Sequence, residues 1–383
     1  MRCWGLAASG QLGYGNTQSI GDDAGETPST AGDVSVGGDA IQVATGGNHT
    51  CAILSTGRVR CWGLGASGQL GYGAATNIGD DAGSVPSDAG DVSIYADSGV
   101  TEIGAGANHT CALIATGNVR CWGLGASGQL GYGNTENIGD DAGELPSTVG
   151  DVNVGATVSQ IAVGANHTCA VTSTGTVRCW GEGAFGKLGY ASTTSVGDLV
   201  VPASAGDVGV GGLVVQVAAG ANHTCALTAT GNVRCWGSAA YGQLGYGNTI
   251  AIGDTETPST AGDVSVFPDG GIVQLAAGAN HTCALHATGN LRCWGRNNVG
   301  QLGYAHTNDI GDDAGEYPST AGDVGLDGGA IRITAGASHT CAILASGQLR
   351  CWGQGASGRL GYGATTDIGD DEFPFAAGDV SVQ

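Results

Sequence analysis

Twelve cysteines form six pairs, and the two members of every pair are ten residues apart. The first cysteine of each pair lies in a His-Thr-Cys-Ala motif and the second in an Arg-Cys-Trp-Gly motif. Thiols that recur at one spacing can be oxidised to disulfides, whereas this spacing differs from that of a zinc site. Buried free thiols, packed as small apolar side chains, are the alternative. The predicted disulfides are Cys51–Cys61, Cys111–Cys121, Cys169–Cys179, Cys225–Cys235, Cys283–Cys293 and Cys341–Cys351.

Acidic residues offer a second possible chemistry, since carboxylate oxygens are the ligands that calcium prefers. They recur in Ile-Gly-Asp-Asp segments and in the aspartate of Gly-Asp-Val, so the repeat should place them along one acidic rim. A solvated rim is the alternative to calcium, because the alternating aspartates of known calcium loops are missing. The candidate calcium ligands are Asp22, Asp23, Glu26, Asp140, Asp141, Glu144, Asp312, Asp313 and Glu316.

The cysteine pairs require a β-hairpin to bring them together. In residues 107–123, two runs of strand character flank the turn Ala115-Thr116-Gly117. A three-residue loop with a left-handed glycine in its last position is a common hairpin connection. In that register Cys111 faces Cys121, whereas a slip of one residue would put the two sulfurs on opposite faces.

These hairpins belong to a repeat of about 58 residues. Each unit shows four short strand-like runs and no helical periodicity, which favours a β-propeller of four-stranded blades. The repeats follow one another without linkers, so residues 1–383 are predicted to form a single domain. The Arg-Cys-Trp-Gly motif occupies residues 2–5, 60–63, 120–123, 178–181, 234–237, 292–295 and 350–353.

Three motifs follow one another in each unit: G-x-N-H-T-C-A-L, T-G-x-V-R-C-W-G and G-Q-L-G-Y-G. In this order they resemble the repeat of the regulator of chromosome condensation family along the whole chain. The resemblance implies a seven-bladed propeller that acts through one of its faces. The longer unit and the cysteine pair are similar to a secreted bacterial branch of that family. The repeated histidines are expected to hydrogen-bond backbone groups at the start of the second strand.

Cys3 lies in the first Arg-Cys-Trp-Gly motif and has no His-Thr-Cys-Ala cysteine ten residues before it. We therefore expect Cys3 to be a free thiol. One blade should be incomplete and built from both chain termini, and the sequence is expected to be a piece of a longer protein.

The chain carries 34 acidic and 12 basic residues, with a net charge of −22. That balance disfavours nucleic acid, which clustered lysine and arginine recognise, and no apolar stretch is long enough to cross a membrane. No set of residues indicates catalysis, so an enzyme is not expected. The predicted function is an extracellular or cell-surface scaffold that binds a protein or peptide. The alternative is a structural module of a longer adhesin-like repeat protein, with calcium as its candidate stabilising ion.

Overall fold

The computed structural model describes residues 1–95 and 99–382, and these residues form two compact units. Unit 1 comprises Met1–Ser19, Gly32–Gly183 and Thr194–Asp207, and unit 2 comprises Ile20–Ala31, Ala184–Thr193 and Val208–Gln383. Each unit contains three antiparallel sheets of three strands, and the strands of a sheet follow one another along the chain. The predicted all-β class is therefore confirmed.

The three sheets of unit 1 are β1–β2–β3, β4–β5–β6 and β7–β8–β9. Their strands are β1 Ala40–Thr45, β2 His49–Leu54, β3 Val59–Gly63, β4 Val100–Ala105, β5 His109–Ile114, β6 Val119–Gly123, β7 Val158–Val163, β8 His167–Thr172 and β9 Val177–Gly181.

The three sheets of unit 2 are β10–β11–β12, β13–β14–β15 and β16–β17–β18. Their strands are β10 Val214–Ala219, β11 His223–Thr228, β12 Val233–Gly237, β13 Ile272–Ala277, β14 His281–His286, β15 Leu291–Gly295, β16 Ala330–Ala335, β17 His339–Leu344 and β18 Leu349–Gly353.

The second and third strands of each sheet form the predicted hairpin. The amide of Gly117 donates to the carbonyl of Ile114, at 2.8 Å, and the amide of Ile114 donates to the carbonyl of Asn118, at 3.0 Å. Gly117 has a φ of 84°, which a residue with a side chain adopts only under strain. This turn sets Cys111 directly opposite Cys121.

The predicted fourth strand of each unit is not formed. The run that ends the unit makes a single backbone hydrogen bond to the third strand, as from the Val92 amide to the Val59 carbonyl at 2.8 Å. A ladder needs several such bonds in succession. The side chain of Arg120 takes up part of this bonding instead, because its guanidinium donates to the carbonyls of Ile94 and Pro146.

Short helical turns that begin at a proline precede these runs. Proline suits the first helical position because its fixed φ fits the helix and its missing amide would have no partner there. In the part of the chain that the structure describes, no helix is long and apolar enough to cross a bilayer. The turns are Pro28–Ala31, Pro86–Ala89, Pro146–Val149, Pro202–Ala205, Pro258–Ala261 and Pro318–Ala321, with 3-10 turns at Ala184–Gly186, Ala356–Gly358 and Pro374–Ala377.

Ala191 and Ala305 have φ values of 55° and 60° and occupy a position that is glycine in other repeats, such as Gly247 with a φ of 68°. A side chain in the left-handed region costs about 1 kcal/mol. We therefore expect Ala191→Gly and Ala305→Gly each to raise the free energy of unfolding by about 1 kcal/mol in urea titrations. Gly247→Ala is the reverse control, and its failure to destabilise the protein would contradict this explanation.

Candidate protein-binding surface

A rigid loop follows the third strand of each sheet and carries the Gly-Gln-Leu-Gly-Tyr motif. The hydroxyl of Tyr72 donates to the carbonyl of Gly90, at 3.0 Å, and accepts the amide of Cys61. Leu70 is fully buried, and the side chain of Gln69 accepts the amide of Ser67, at 2.9 Å. Ser67 is thus held at the tip of an ordered loop, so a change of residue there alters the surface and leaves the scaffold in place.

The tip residues differ between the two units. Where the loop carries glutamine, a hydrogen bond to it identifies the tip: the amide of Tyr241 donates to Gln243 and that of Val299 to Gln301, as Ser67 does to Gln69. Phe185 and Ser357 are assigned by their place in the repeat, two residues before Lys187 and Arg359. The tips in unit 1 are Ser9, Ser67 and Ser127, whereas those in unit 2 are Phe185, Tyr241, Val299 and Ser357.

Three of the four tips in unit 2 are therefore apolar or aromatic. Phe185 is 52% exposed, and the guanidinium of Arg296 lies over the ring of Tyr241, 4.6 Å from its centroid. Tyrosine and arginine are enriched among the residues that dominate the binding energy of protein interfaces. We call Phe185, Tyr241, Arg296 and Val299 the loop patch.

Phe185 adopts a left-handed backbone with a φ of 61°, and the equivalent Ser357 has a φ of 59°. A bulky residue in this conformation is strained, and its exposed ring gains little from burial. Stability therefore does not account for phenylalanine at this tip. Strained residues of this kind cluster at functional sites.

The loop of Phe185 also carries a buried lysine where other repeats have glutamine. Lys187 is 0% exposed, and its ammonium donates to the side-chain oxygen of Asn222, at 2.8 Å. Its carbonyl accepts the hydroxyl of Thr224 and the indole N–H of Trp236. Lys187 thus anchors the loop beneath the patch, and its ammonium does not reach the surface.

Buried histidines connect neighbouring sheets within each unit. The Nε2 atom of His49 lies 2.9 Å from the hydroxyl of Thr110, which donates to the carbonyl of Gln69. The indole of Trp122 donates to the same carbonyl, at 3.0 Å. The histidine partner is therefore a threonine of the next sheet, and the expectation that it would be the backbone is wrong. The same contact joins His109 to Thr168, His223 to Thr282 and His281 to Thr340.

These contacts determine the tautomer of the histidines, and burial determines their charge. The threonine hydroxyl uses its proton on a carbonyl, so Nε2–H must donate to it and Nδ1 carries the lone pair. Within the described residues Nδ1 of His49, His109, His223, His281 and His339 has no partner. Burial lowers the pKa to about 4 for His49, His223 and His339 and to about 3 for His109 and His281. These imidazoles are neutral structural groups.

All six predicted disulfides are present, each closing one hairpin over a separation of ten residues. Eleven of the twelve cysteines in them are fully buried, and Cys341 is 9% exposed. Cys3 is a free cysteine. It packs against the core cluster formed by Val34, Val36, Ala52, Leu54 and Trp62.

The arginine of each Arg-Cys-Trp-Gly motif pairs with the aspartate of the following Gly-Asp-Val. The Nε atom of Arg60 lies 3.2 Å from Asp91, and its guanidinium also donates to the carbonyl of Ser87. Sequence reasoning missed these pairs and assigned the aspartates to an acidic rim. The sequence does contain a sign of these pairs, because the arginine and the aspartate each occur seven times, once in every repeat. The other pairs are Arg2–Asp33, Arg120–Asp151, Arg178–Asp207, Arg234–Asp263, Arg292–Asp323 and Arg350–Asp379.

The acidic segments stay at the surface, and in the described part of the chain no three of the predicted calcium ligands bring their oxygens together. Partial burial and the carboxylate of Asp140 raise the pKa of Glu144, and Asp312 acts in the same way on Glu316. Among the described residues, one acidic triad has its oxygens within 4.8 Å of one another: Asp370, Asp371 and Glu372. This triad is not among the predicted ligands.

Salt should stabilise the protein by screening the negative charge of the acidic segments, and calcium should have no larger effect than magnesium. We expect the melting temperature to rise with ionic strength, because salt weakens repulsion between exposed carboxylates. Calcium and magnesium chloride at equal concentration should give the same increase, and EGTA should leave the melting temperature unchanged. A larger increase with calcium would instead establish a specific site.

Comparison with known proteins agrees with this arrangement. A family model described as the RCC1-like domain matches residues 1–377. The ultraviolet-B receptor UVR8 of Arabidopsis thaliana is 30% identical over 367 residues, which cover 95% of this chain and 75% of the receptor. The chain belongs to the RCC1-like domain family. This places it among the RCC1-like repeat propellers, which are protein-interaction scaffolds.

Solved structures support the same fold. Human WBSCR16 matches with a TM-score of 0.75 at 22% identity, covering 99% of this chain and 92% of that protein. Yeast RCC1 (Prp20), solved with Kap60 bound, matches with a TM-score of 0.74 at 21% identity, covering 97% and 83%. The six three-stranded sheets are therefore blades of an RCC1-like propeller.

Proposed function

We propose that this chain binds a protein or peptide partner through the loop patch of unit 2. The observation that carries the proposal is Phe185, an exposed aromatic residue in a strained conformation at a tip that is serine in four other repeats. Yeast RCC1, which has the same fold, was solved with a bound protein, and this supports a protein as the class of ligand.

Chemistry at the patch is suited to an interface. The ring of Phe185 offers apolar area, and the stacked Tyr241 and Arg296 combine an aromatic face with five hydrogen-bond donors. Glutamine and tyrosine contacts already order the loops of Tyr241 and Arg296, and Lys187 anchors that of Phe185, so little conformational entropy is lost on binding. A peptide with an apolar residue beside an acidic one fits this surface best, because arginine pairs with carboxylates in a bidentate geometry.

Site-specific photocrosslinking tests this surface. A benzophenone side chain at position 185 or 241 should capture a partner from the proteins of the source organism, which mass spectrometry then identifies. Val273 is the matched control, because it is 56% exposed on β13, outside the loops, in the same unit. Phe185→Ser and Tyr241→Ser should weaken binding of the identified partner at least tenfold, and Val273→Thr should not. Equal capture from all three positions would overturn the proposal.

We propose further that the chain works outside the cell or at its surface, as in a secreted bacterial branch of the family. Six buried disulfides support this location, because such bonds persist in oxidising compartments. Protein isolated from its source without reductant should contain one free thiol, that of Cys3, by mass spectrometry after alkylation. A count of thirteen would place the protein in a reducing compartment.

The proposal includes no catalysis and no nucleic acid. A cavity of about 340 Å³ in unit 1 has Asp151 as its one ionisable lining residue, and Arg120 and Asn118 already bind that carboxylate. After the seven Arg–Asp pairs, five basic residues face 27 acidic ones, a charge balance that repels phosphate backbones. No shift of DNA or RNA is expected in gel assays at low salt.

We also propose that residues 1–383 form one domain with seven blades. One of these blades is incomplete, and both chain termini contribute to it. Its support in unit 2 is the hydrogen bond from the Ser29 amide to the Ser381 carbonyl, at 2.9 Å. The two hydroxyls also lie 2.9 Å apart. Ser29→Cys combined with Ser381→Cys should therefore form a disulfide in air, and failure to form it would contradict this contact.

A further inference from the structure

One hairpin turn of unit 2 places a histidine against a threonine hydroxyl. The Nδ1 atom of His286, at the end of β14, lies 2.7 Å from the hydroxyl oxygen of Thr288. The backbone amide of Thr288 also donates to Nδ1, at 3.2 Å. Because an amide can only donate, Nδ1 carries a lone pair, and the hydroxyl must donate its proton to it. This is the hydrogen bond that joins a nucleophile to its general base.

The other ring nitrogen of His286 faces a carboxylate. Since Nδ1 carries the lone pair, Nε2 carries the proton, and Nε2 lies 3.5 Å from Oδ2 of Asp269. A carboxylate in this place keeps the ring in one tautomer and stabilises the imidazolium that forms when the hydroxyl gives up its proton. Hydroxyl, imidazole and carboxylate therefore follow one another in the order that nucleophilic catalysis by a hydroxyl requires.

The imidazole of His286 is held in place by its neighbours. The ring of Phe267 lies against it, with the two centroids 4.9 Å apart. A Cβ atom at Gly271 would lie 2.2 Å from Nε2, so a side chain at this position would displace the imidazole. His286 itself is 8% exposed, whereas Thr288 is exposed at the tip of the turn. The base is thus fixed, and the hydroxyl beside it is open to a ligand.

Equivalent turns show that the fold does not require this histidine. In the same unit the residue equivalent to His286 is Thr228, whose hydroxyl lies 2.9 Å from that of Thr230. In unit 1 the hydroxyls of Thr172 and Thr174 make the same contact, also at 2.9 Å. Both turns close their hairpins with a hydroxyl in place of the imidazole. Formation of the turn therefore does not account for a base at this position.

We propose that Thr288 accepts an acyl group from an activated ester or thioester, with His286 as general base and Asp269 as the residue that positions it. The hydroxyl oxygen of Thr288 attacks the acyl carbon, and its proton passes to Nδ1 of His286. The bond between the acyl carbon and the leaving oxygen or sulfur breaks, and the leaving atom keeps the electron pair. Nδ1 then releases the proton to the leaving group or to water, and Thr288 remains as an acyl ester. This reaction goes beyond the partner binding proposed for the loop patch and uses none of its residues.

Acetylation by p-nitrophenyl acetate tests the site, with the acetyl groups located by mass spectrometry of peptides from the full chain. We expect Thr288 to be acetylated at least tenfold faster than Thr230, an exposed hydroxyl in the equivalent turn that has Thr228 in place of the base. Thr288→Ser should keep the reaction, and Thr288→Ala should remove the acetyl group from this turn. Equal rates of acetylation at Thr288 and Thr230 would overturn the proposal.

His286→Thr is the matched variant, because it removes the base and keeps the hydroxyl contact that Thr228 makes with Thr230. Native circular dichroism of this variant is checked first. The acetylation rate of Thr288 should then fall to that of Thr230, which is measured in the same sample. An unchanged rate at Thr288 would show that His286 serves only to complete the turn, and it would overturn the proposal.

Asp269→Asn tests the positioning residue through the pH dependence of the acetylation rate. The carboxylate of Asp269 faces Nε2 of His286, and the guanidinium of Arg292 lies over the ring of Phe267, 4.5 Å from its centroid. Without the carboxylate the imidazolium is less stable. The rise of the rate with pH should therefore begin at lower pH, and the maximal rate should fall severalfold. A profile that matches that of the parent chain would overturn this role of Asp269.

Discussion

Protonation of five buried histidines as the pH is lowered from 7 to 5 is expected to remove about 10 kcal/mol from the free energy of unfolding. Five buried histidines have pKa values of about 3 to 4 in the folded chain, against about 6.5 when unfolded. A lowered folded pKa means that protons bind preferentially to the unfolded chain, so stability is present above pH 6.5 and declines below it. Each histidine contributes about 2 kcal/mol to the loss at pH 5.

Carboxyls with a raised pKa act in the opposite direction, and Glu102 has the largest shift among them. Burial raises the pKa of Glu102 to about 7, so its protonation on acidification favours the folded chain and offsets about one histidine. The remaining loss approaches the whole stability of an ordinary domain. We therefore expect cooperative unfolding near pH 5, measured by urea titration at a series of pH values.

Substitution of a single histidine isolates the cause. His109→Gln keeps a donor for Thr168 but does not titrate, so the number of protons taken up on unfolding at pH 5 should fall by about one. Equal proton uptake in the parent and His109→Gln proteins would show that burial of the histidines does not cause acid unfolding.

Removal of one disulfide is the second large effect. The double variant Cys111→Ala/Cys121→Ala should lose about 3 kcal/mol of its free energy of unfolding. The bridge closes a loop of ten to eleven residues in the unfolded chain and so lowers the conformational entropy of that state. The six hairpins close loops of the same size, so each bridge should contribute a similar amount. Reduction of all six in denaturant should therefore prevent refolding until the thiols are reoxidised.

Cys3→Ala is the matched control for this experiment, because it removes a partly buried thiol that forms no bridge. It should cost less than about 1 kcal/mol. If the control and the double variant lost a similar free energy of unfolding, the effect would come from packing of the cysteine side chains and not from the disulfide. Melting curves with and without reductant give a second comparison. The reductant should lower the melting temperature of the parent chain more than that of the double variant, which has one disulfide fewer.

The hairpins could be predicted from the sequence because every determinant is local. A turn glycine, an alternating pattern and a fixed cysteine spacing specify one register, and the structure reproduces it at Cys111 and Cys121. The absence of the fourth strand could not be predicted, since its run alternates like a strand but the Arg120 side chain takes up part of its hydrogen bonding. Strand propensity alone does not register such a competing side chain.

The candidate surface was only partly accessible to sequence reasoning. Phe185 and Arg296 stand out as departures from the repeat, but the sequence does not show that Arg296 lies over the ring of Tyr241, 55 positions away. Tyr241 shows its role only once the hydrogen bond to Gln243 aligns the loop tips. The contact between Arg296 and Tyr241 joins two neighbouring repeats, so it is a property of the fold.

Because each disulfide closes a single hairpin, none joins one sheet to another, and this has a mechanical consequence. A force applied to the two chain ends could separate the sheets while every hairpin stays closed. Each bridge spans ten residues with its Cα atoms only 4.0–4.1 Å apart, which withholds about 30 Å of extended chain. Stretching the oxidised protein should thus release roughly 180 Å less contour length than stretching the reduced one.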